Sequence, residues 1–133
     1  MSGERDLGRL LAGLDPVLAD EPYVFALVPD RVVPPDLRPF ATVEEEEGLT
    51  VVVPRADADR RGLAYDYVAA RITLRVHSDP AAVGMTAAFS RVLADAGLSC
   101  NVIAGFFHDH LLVPWDRAGE AVALLQTLGR KVD

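Results

Sequence analysis

Histidines, a serine–aspartate pair and a single cysteine are the side chains in this 133-residue sequence that are best suited to chemistry. The histidines are His77, His108 and His110. Because His108 and His110 are two residues apart, they would face one side of a continuous strand and could share a metal ion with His77. If residues 108–109 form a hairpin turn instead, both imidazoles lie at a polar tip without an acidic ligand beside them. We therefore expect no metal site.

Ser78 and Asp79 stand at the predicted junction of a strand and a helix, so that a nucleophile could lie beside a carboxylate. No Gly-x-Ser-x-Gly elbow surrounds the serine, and both side chains suit the capping of a helix. Cys100 opens an apolar run, where a lone cysteine is more often a small buried hydrophobe than a reactive thiol. The sequence has no phosphate-binding loop, dinucleotide fingerprint or kinase motif, and we expect no cofactor.

Charge and composition exclude several classes of partner. The chain is 50% hydrophobic and 25% charged, with a net charge of −7, as is usual for a globular protein. Division after Asp66 leaves 7 basic and 14 acidic residues before it, and 6 of each after it. Since no basic cluster offsets the acidic excess, we expect neither nucleic-acid nor membrane binding. One cysteine, and no signal peptide or long apolar run, indicate a cytoplasmic protein.

The first half contains one helical pattern and several strand patterns. Leucines at positions 7, 10, 11 and 14 predict a helix over residues 4–14, with a further turn to residue 19. Proline and glycine positions delimit the other elements. In order, these are a strand over 23–28, an extended connector over 30–40, strands over 41–46 and 49–53 around a turn at Glu47-Gly48, and a short helix over 56–62.

The second half contains the clearest helix. Strict alternation predicts a strand over residues 71–76, with Ile72, Leu74 and Val76 towards the core. Asp79 and Pro80 then suit the start of a helix that ends at Gly97. Its apolar positions are Met85, Ala88, Phe89, Val92, Leu93 and Ala96. The last elements are strands over 100–107 and 110–113, joined around His108-Asp109, and a helix from Asp116 to Gly129.

The order strand, helix, strand, strand, helix is that of the split βαβ, or ferredoxin-like, plan. The first half has the form of a degenerate copy, in which the proline-rich connector replaces a helix. In this plan the amides at the start of the helix from Pro80 suit a carboxylate. Asn101 can both donate and accept hydrogen bonds. Together these features suit an amino-acid ligand.

Three stretches of the second half carry a family resemblance: RITLRVHSDPAAVGMT (71–86), LADAGLSCNVIA (93–104) and HDHLLVP (108–114). In the first half, YVFALVP (23–29), EEGLTVVVP (46–54) and GLAYDY (62–67) match the same pattern. With these motifs the chain resembles the small stand-alone bacterial ACT-domain proteins, which are related to the regulatory region of aspartokinase.

The resemblance implies an α+β protein of two ferredoxin-like, ACT-type subdomains, βαββαβ-related, with antiparallel sheets packed against helices. The first would cover residues 1–67, with the leading helix, and the second residues 68–133. It further implies no catalytic centre and the binding of a small molecule, usually an amino acid, between ACT units. By position the ligand-binding residues would be His77, Ser78, Asp79, Val83, Gly84, Met85, Cys100, Asn101 and Val102.

Our interpretation is therefore a non-catalytic regulatory protein that binds an amino acid and forms a homodimer by sheet or helix pairing, because so small a unit leaves sheet edges exposed. A first alternative is an interaction module without a ligand, docking on a partner enzyme through an apolar sheet or the acidic hairpin at residues 44–47. A second is an enzyme that uses the histidines, which requires His77 and either His108 or His110 around one metal ion.

Overall fold

The computed structural model describes residues 13–75 and 82–130. The chain divides into two compact units: a middle unit, Asp20–Ala69, and a flanking unit made of Met1–Ala19 and Ala70–Asp133. In chain order the elements are β1 (Val17–Leu18), β2 (Tyr23–Val28), β3 (Ala41–Glu45), β4 (Gly48–Pro54), α1 (Arg55–Arg61), β5 (Val68–Leu74), α2 (Ala82–Asp95), β6 (Asn101–Ala104), β7 (Asp109–Pro114), a 3-10 turn (Trp115–Arg117) and α3 (Ala118–Arg130). The predicted α+β class with antiparallel strands is confirmed.

The middle unit is a small antiparallel sheet packed against α1. β4 lies between β3 and β2. It pairs with the whole length of β2, so that Leu27 is opposite Thr50. Alternate residues of β2 and β4 face one side and bury their side chains with Ala58 of α1. This core consists of Val24, Ala26, Val28, Leu37, Leu49, Val51, Val53 and Ala58. As predicted, Gly62 ends the helix in a left-handed conformation, with φ of 69°.

The β3–β4 hairpin turns one residue earlier than predicted. Its turn is formed by Glu46 and Glu47, while Gly48 is the first residue of β4 and pairs with Glu45. A Cβ atom at Gly48 would lie 3.0 Å from Leu27 Cδ1 and 3.1 Å from Pro29 Cα. The glycine is therefore required by close backbone approach at the start of the strand, with φ of 154°.

In the flanking unit, antiparallel strands are covered by two helices that pack against each other, α2 and α3. β7 lies between β5 and β6. The helices contribute their apolar positions to one core, against which Trp115 also packs. The buried residues are Leu14, Ala70, Ile72, Leu74, Met85, Phe89, Leu93, Leu98, Leu111, Val113, Ala118, Ala121, Leu125 and Leu128.

The leading segment differs from its prediction. The helix predicted over residues 4–14 lies almost entirely outside the described residues, but its predicted further turn is wrong. Val17 and Leu18 form β1, paired antiparallel with Thr73 and Ile72, and the Ala19 amide donates to the Arg71 carbonyl at 2.9 Å. Pairing with a strand some 50 residues away overrides the local helical pattern, and it groups this segment with the flanking unit.

The β6–β7 hairpin also differs from its prediction. Asp109 begins β7 opposite Ala104, so the loop consists of residues 105–108, closed by a hydrogen bond from the Gly105 amide to the His108 carbonyl at 2.8 Å. The predicted turn at His108-Asp109 is thus displaced, and the strand predicted over 100–107 ends at Ala104. The last helix continues past Gly129 to Arg130.

Candidate functional site

Part of the predicted ligand loop can be located. His77, Ser78 and Asp79 lie outside the described residues, as does Val76 of the predicted strand. In the first turn of α2, Val83 is 78% exposed and Gly84 is half-buried. Met85 is fully buried in the core of the flanking unit, so its side chain serves packing rather than an exposed site.

The other predicted ligand residues, Cys100, Asn101 and Val102, lie at the beginning of β6. Cys100 is half-buried against the core, and burial raises the pKa of its thiol to about 11. The group is therefore a neutral thiol near pH 7, with the weak reactivity of a packing cysteine. Asn101 and Val102 are exposed, and Asn101 pairs with Leu112 of β7. The amide side chain of Asn101 is thus available to a ligand.

The two parts of the predicted site lie at opposite ends of α2. The helix has 14 residues, which gives a length of about 20 Å at the usual rise. Val83 and Gly84 are at its start, whereas Asn101 follows its end after a short turn closed by a bond from the Leu98 amide to the Leu93 carbonyl. One copy of the flanking unit therefore does not bring the helix start and Asn101 together.

The hairpin tip at residues 105–108 lies at the other end of the sheet from Asn101. A hydrogen bond of 2.9 Å between Thr73 Oγ1 and His110 Nδ1 joins the end of β5 to the start of β7. At the tip, Phe106 is 92% and Phe107 is 73% exposed, with ring centroids 4.9 Å apart. Sequence reasoning assigned both rings to a strand, although two adjacent aromatics at the end of an apolar run were a signal for an exposed patch.

Two of the predicted metal-ligand candidates, His108 and His110, lie in the described part of the chain. Burial, together with the nearby charge of Arg71, lowers the pKa of His110, which keeps its ring neutral as the partner of Thr73. The Nδ1 atom of His108 is buried without a hydrogen bond. Across residues 13–75 and 82–130, no group of three or more His, Cys, Asp or Glu side chains could hold a metal ion.

A buried carboxylate in the middle unit went unnoticed in the sequence. Asp57 of α1 is 1% exposed. It accepts hydrogen bonds from the Arg38 amide at 2.9 Å and from the Arg38 guanidinium at 3.1 and 3.2 Å, and Arg60 lies 3.4 Å away. The hydrogen bonds from Arg38 lower the pKa of Asp57. This cluster fastens the proline-rich connector to α1, a structural role.

The middle unit also contains a cavity of 310 Å³, here called the β2 cavity, lined by residues 25–27, Thr50 and residues 64–66. Its wall is held by Tyr65, whose hydroxyl donates to Asp59 Oδ1 at 2.7 Å and accepts from Arg55 Nε at 3.0 Å. Phe25 and Tyr67 are in ring contact nearby, with centroids 6.0 Å apart. The sequence offered no sign of this cavity.

Family comparison accounts for nearly the whole chain. One ACT domain model matches residues 2–70, and a second ACT domain model matches residues 70–127. The chain belongs to the ACT domain family. It carries two ACT domains in tandem, and the predicted ferredoxin-like α+β class is confirmed. No curated protein matches this ACT chain.

Solved structures of similar fold include relatives at several distances. A Vibrio cholerae protein of unknown function, described as a possible transport protein, shares 40% identity with a TM-score of 0.84 over 96% of this ACT chain and 99% of its own. A protein from Agrobacterium tumefaciens is 16% identical, with a TM-score of 0.66 over 87% and 89%. The ligand-free regulatory subunit of aspartate kinase from Thermus thermophilus is 8% identical, with a TM-score of 0.62 over 85% and 95%. At such identities the last two show likeness of fold alone.

Among the described helices of the ACT chain, none combines the length and hydropathy of a transmembrane span.

Proposed function

We propose that this protein is a non-catalytic regulatory protein that binds a small molecule, specifically an amino acid, through its tandem ACT domains. The observation that carries the proposal is that ACT matches occupy residues 2–127. A regulatory, ligand-binding role is general to the family. Likeness of fold to the regulatory subunit of aspartate kinase from Thermus thermophilus, over 95% of that chain, adds support.

We place the ligand at the start of α2. Helix-start amides carry partial positive charge and suit the carboxylate of an amino acid. The loop would contribute His77, Ser78 and Asp79, together with Val83, Gly84 and the backbone of Met85. The second part of the site would be Cys100, Asn101 and Val102, in which Asn101 supplies the hydrogen-bonding side chain.

A homodimer through β6 would join these two parts. Among the described residues β6 pairs only with β7, so its other edge is free to pair, and Val102 on this strand is exposed. Antiparallel self-pairing of β6 reverses the strand direction. Asn101 of one copy then lies towards the opposite end of its partner's strand, on the side of the hairpin tip. The proposal therefore includes a site completed across the dimer.

Titration calorimetry of the full chain against the common amino acids, beginning with threonine, lysine and the branched-chain residues, tests the function. We expect saturable binding of at least one of them at or below millimolar concentration. Asn101→Ala should weaken it about tenfold, through loss of hydrogen bonds to a charged group. Gln126→Ala, which removes an exposed amide from α3, is the matched control. Absence of binding by any amino acid would refute the proposal.

The exposed pair Phe106 and Phe107 favours the alternative of an interaction module docking on a partner enzyme. Such a module binds no amino acid, so the same titration separates the two functions. If the tip serves a protein partner in addition to a ligand site, Phe106→Ser with Phe107→Ser leaves amino-acid affinity unchanged.

Two further features belong to the proposal. We propose sequence limits of 1–67 and 68–133 for the two ACT domains, which the family matches support by meeting at residue 70. These limits differ from the compact units, in which Met1–Ala19 belongs to the flanking unit. We also propose a cytoplasmic location, on the basis of the net charge of −7 and the single cysteine.

A further inference from the structure

The residues that line the β2 cavity all belong to the middle unit. Its 310 Å³ is at the lower end of the range for small-molecule sites. Phe25 and Leu27 of β2 supply apolar surface, and Leu27 is opposite Thr50 in the sheet register. The cavity therefore suits a ligand with a small apolar body.

Its position follows from an incomplete pairing of β2. Within the described residues, β5 pairs with β2 only at Tyr23 and Val24, whereas β4 pairs with β2 along its full length. Beyond Val24 the loop at residues 64–66 takes the place of a strand. In an antiparallel strand alternate residues direct their N–H and C=O groups to each side, so β2 presents backbone polar groups towards this gap.

The loop wall is held in place before any ligand binds. The Leu63 amide donates to the Ala58 carbonyl at 2.9 Å, and the Tyr65 hydroxyl bonds to both Arg55 and Asp59 of α1. A wall fixed by such bonds loses little conformational freedom on binding. The cavity is thus preformed.

Charge determines the kind of ligand. The middle unit holds 11 acidic and 5 basic residues, so it carries six of the seven net negative charges. All five arginines are already engaged by carboxylates, carbonyls or Tyr65; they are Arg31, Arg38, Arg55, Arg60 and Arg61. Asp66, which lines the cavity, is exposed and has no hydrogen bond or ion pair with the described residues. An anionic ligand would be repelled here, and a cation attracted.

We propose that the β2 cavity binds the alkylammonium group of a primary amine. The ammonium would lie at the Asp66 carboxylate, and the alkyl chain against Phe25 and Leu27. Such a group occurs both on a free amine and on a lysine side chain, so the shared chemistry is the ammonium on its short apolar chain.

Amide chemical-shift titration of the full chain with n-butylamine, n-butyrate and n-butanol tests the ligand class. We expect saturable shifts at residues 25–27 and 64–66 with butylamine, and affinities at least about fivefold weaker for the other two. Nα-acetyl-lysine N-methylamide, tested in parallel, distinguishes the sources: tighter binding than butylamine indicates a peptide lysine, and weaker binding indicates a free amine. Equal shifts with butyrate, or none with butylamine, would overturn the proposal.

Variants locate the site. Asp66→Asn should weaken butylamine binding about fivefold, and Ala64→Trp, which fills the cavity, should abolish it. Glu46→Gln removes a charge elsewhere in the same unit and controls for the general field. Equal affinity in Asp66→Asn and in Glu46→Gln would contradict a site at Asp66. Amino-acid binding is assigned to the ligand loop by its weakening in Asn101→Ala, and amine binding to the β2 cavity by its weakening in Asp66→Asn. Either result can therefore fail alone.

Discussion

Asp57 shows how a single buried charge organises the middle unit. Its carboxylate is enclosed and bonded to both the backbone and the side chain of Arg38. In Asp57→Asn a buried acceptor oxygen becomes an NH2 donor that faces the donors of Arg38 and Arg60, so that hydrogen bonds are lost inside the protein. Asp57→Asn should therefore lower the free energy of unfolding by about 2–3 kcal/mol, measured by urea denaturation. Asp95→Asn, which removes an exposed helix ion pair to Arg91, should have little effect.

The same residue predicts a pH dependence. Because hydrogen bonds from Arg38 lower the pKa of Asp57 in the folded state, its stabilisation is complete above the pKa in the unfolded chain. It is lost as the pH falls through the lower, folded-state value. The stability difference between the wild type and Asp57→Asn should thus be full near pH 7 and smaller near about pH 3. A difference that stays constant over this range would contradict the ionised pair.

At the scale of elements, substitutions of two glycines test why the β3–β4 hairpin turns where it does. One glycine is closely surrounded and the other is not. Gly48 has φ of 154° and would bring a Cβ into the side chain of Leu27 and the backbone of Pro29, whereas Gly119 in α3 has nothing within 4 Å. Gly48→Ala should destabilise the protein by about 1–3 kcal/mol. Gly119→Ala should stabilise it by up to about 1 kcal/mol. Thermal unfolding of both variants measures the contrast, and equal effects would show that the close approach at Gly48 is unimportant.

Local patterns predicted most elements well, and the exceptions have one cause, which is pairing between strands. The strand predicted over residues 23–28 and the helical periodicity from Met85 to Leu93 are confirmed because each element packs one face against a core. Val17 and Leu18 read as a helical turn, yet they pair with β5. The β6–β7 loop was displaced for a related reason. Gly105 is the one turn signal in residues 105–107, and the register of the paired strands decides where the loop lies.

At the scale of the whole molecule, the proposed dimer depends on a free edge of β6. Val102→Lys places a charge on this edge and should convert a dimer to a monomer, because charged edges oppose strand pairing. Val32→Lys changes an exposed valine of the middle unit, away from β6, and should leave the dimer intact. Sedimentation velocity over a range of concentrations measures both. A monomeric wild type, or a dimer unaffected by Val102→Lys, would remove β6 pairing from the proposal.

The candidate site was only partly predictable. The sequence identified Asn101 as an exposed polar residue at a strand start, and the structure agrees on its exposure. It also grouped Met85 with the ligand residues, although the same helical periodicity directs that side chain into the core. Neither the enclosure of Asp57 nor the β2 cavity was visible, because both depend on contacts between segments that are distant along the chain.

By itself, the sequence determined the family, the α+β class, most strands and helices, and the concentration of negative charge before residue 67, since these follow from residue types and short-range periodicity. The tertiary structure decided that Val17 and Leu18 form a strand, that Phe106 and Phe107 are exposed, and that Asp66 lines the β2 cavity. Strand pairing and burial between distant segments control these features. A local sequence pattern does not indicate which distant segment will make the contact.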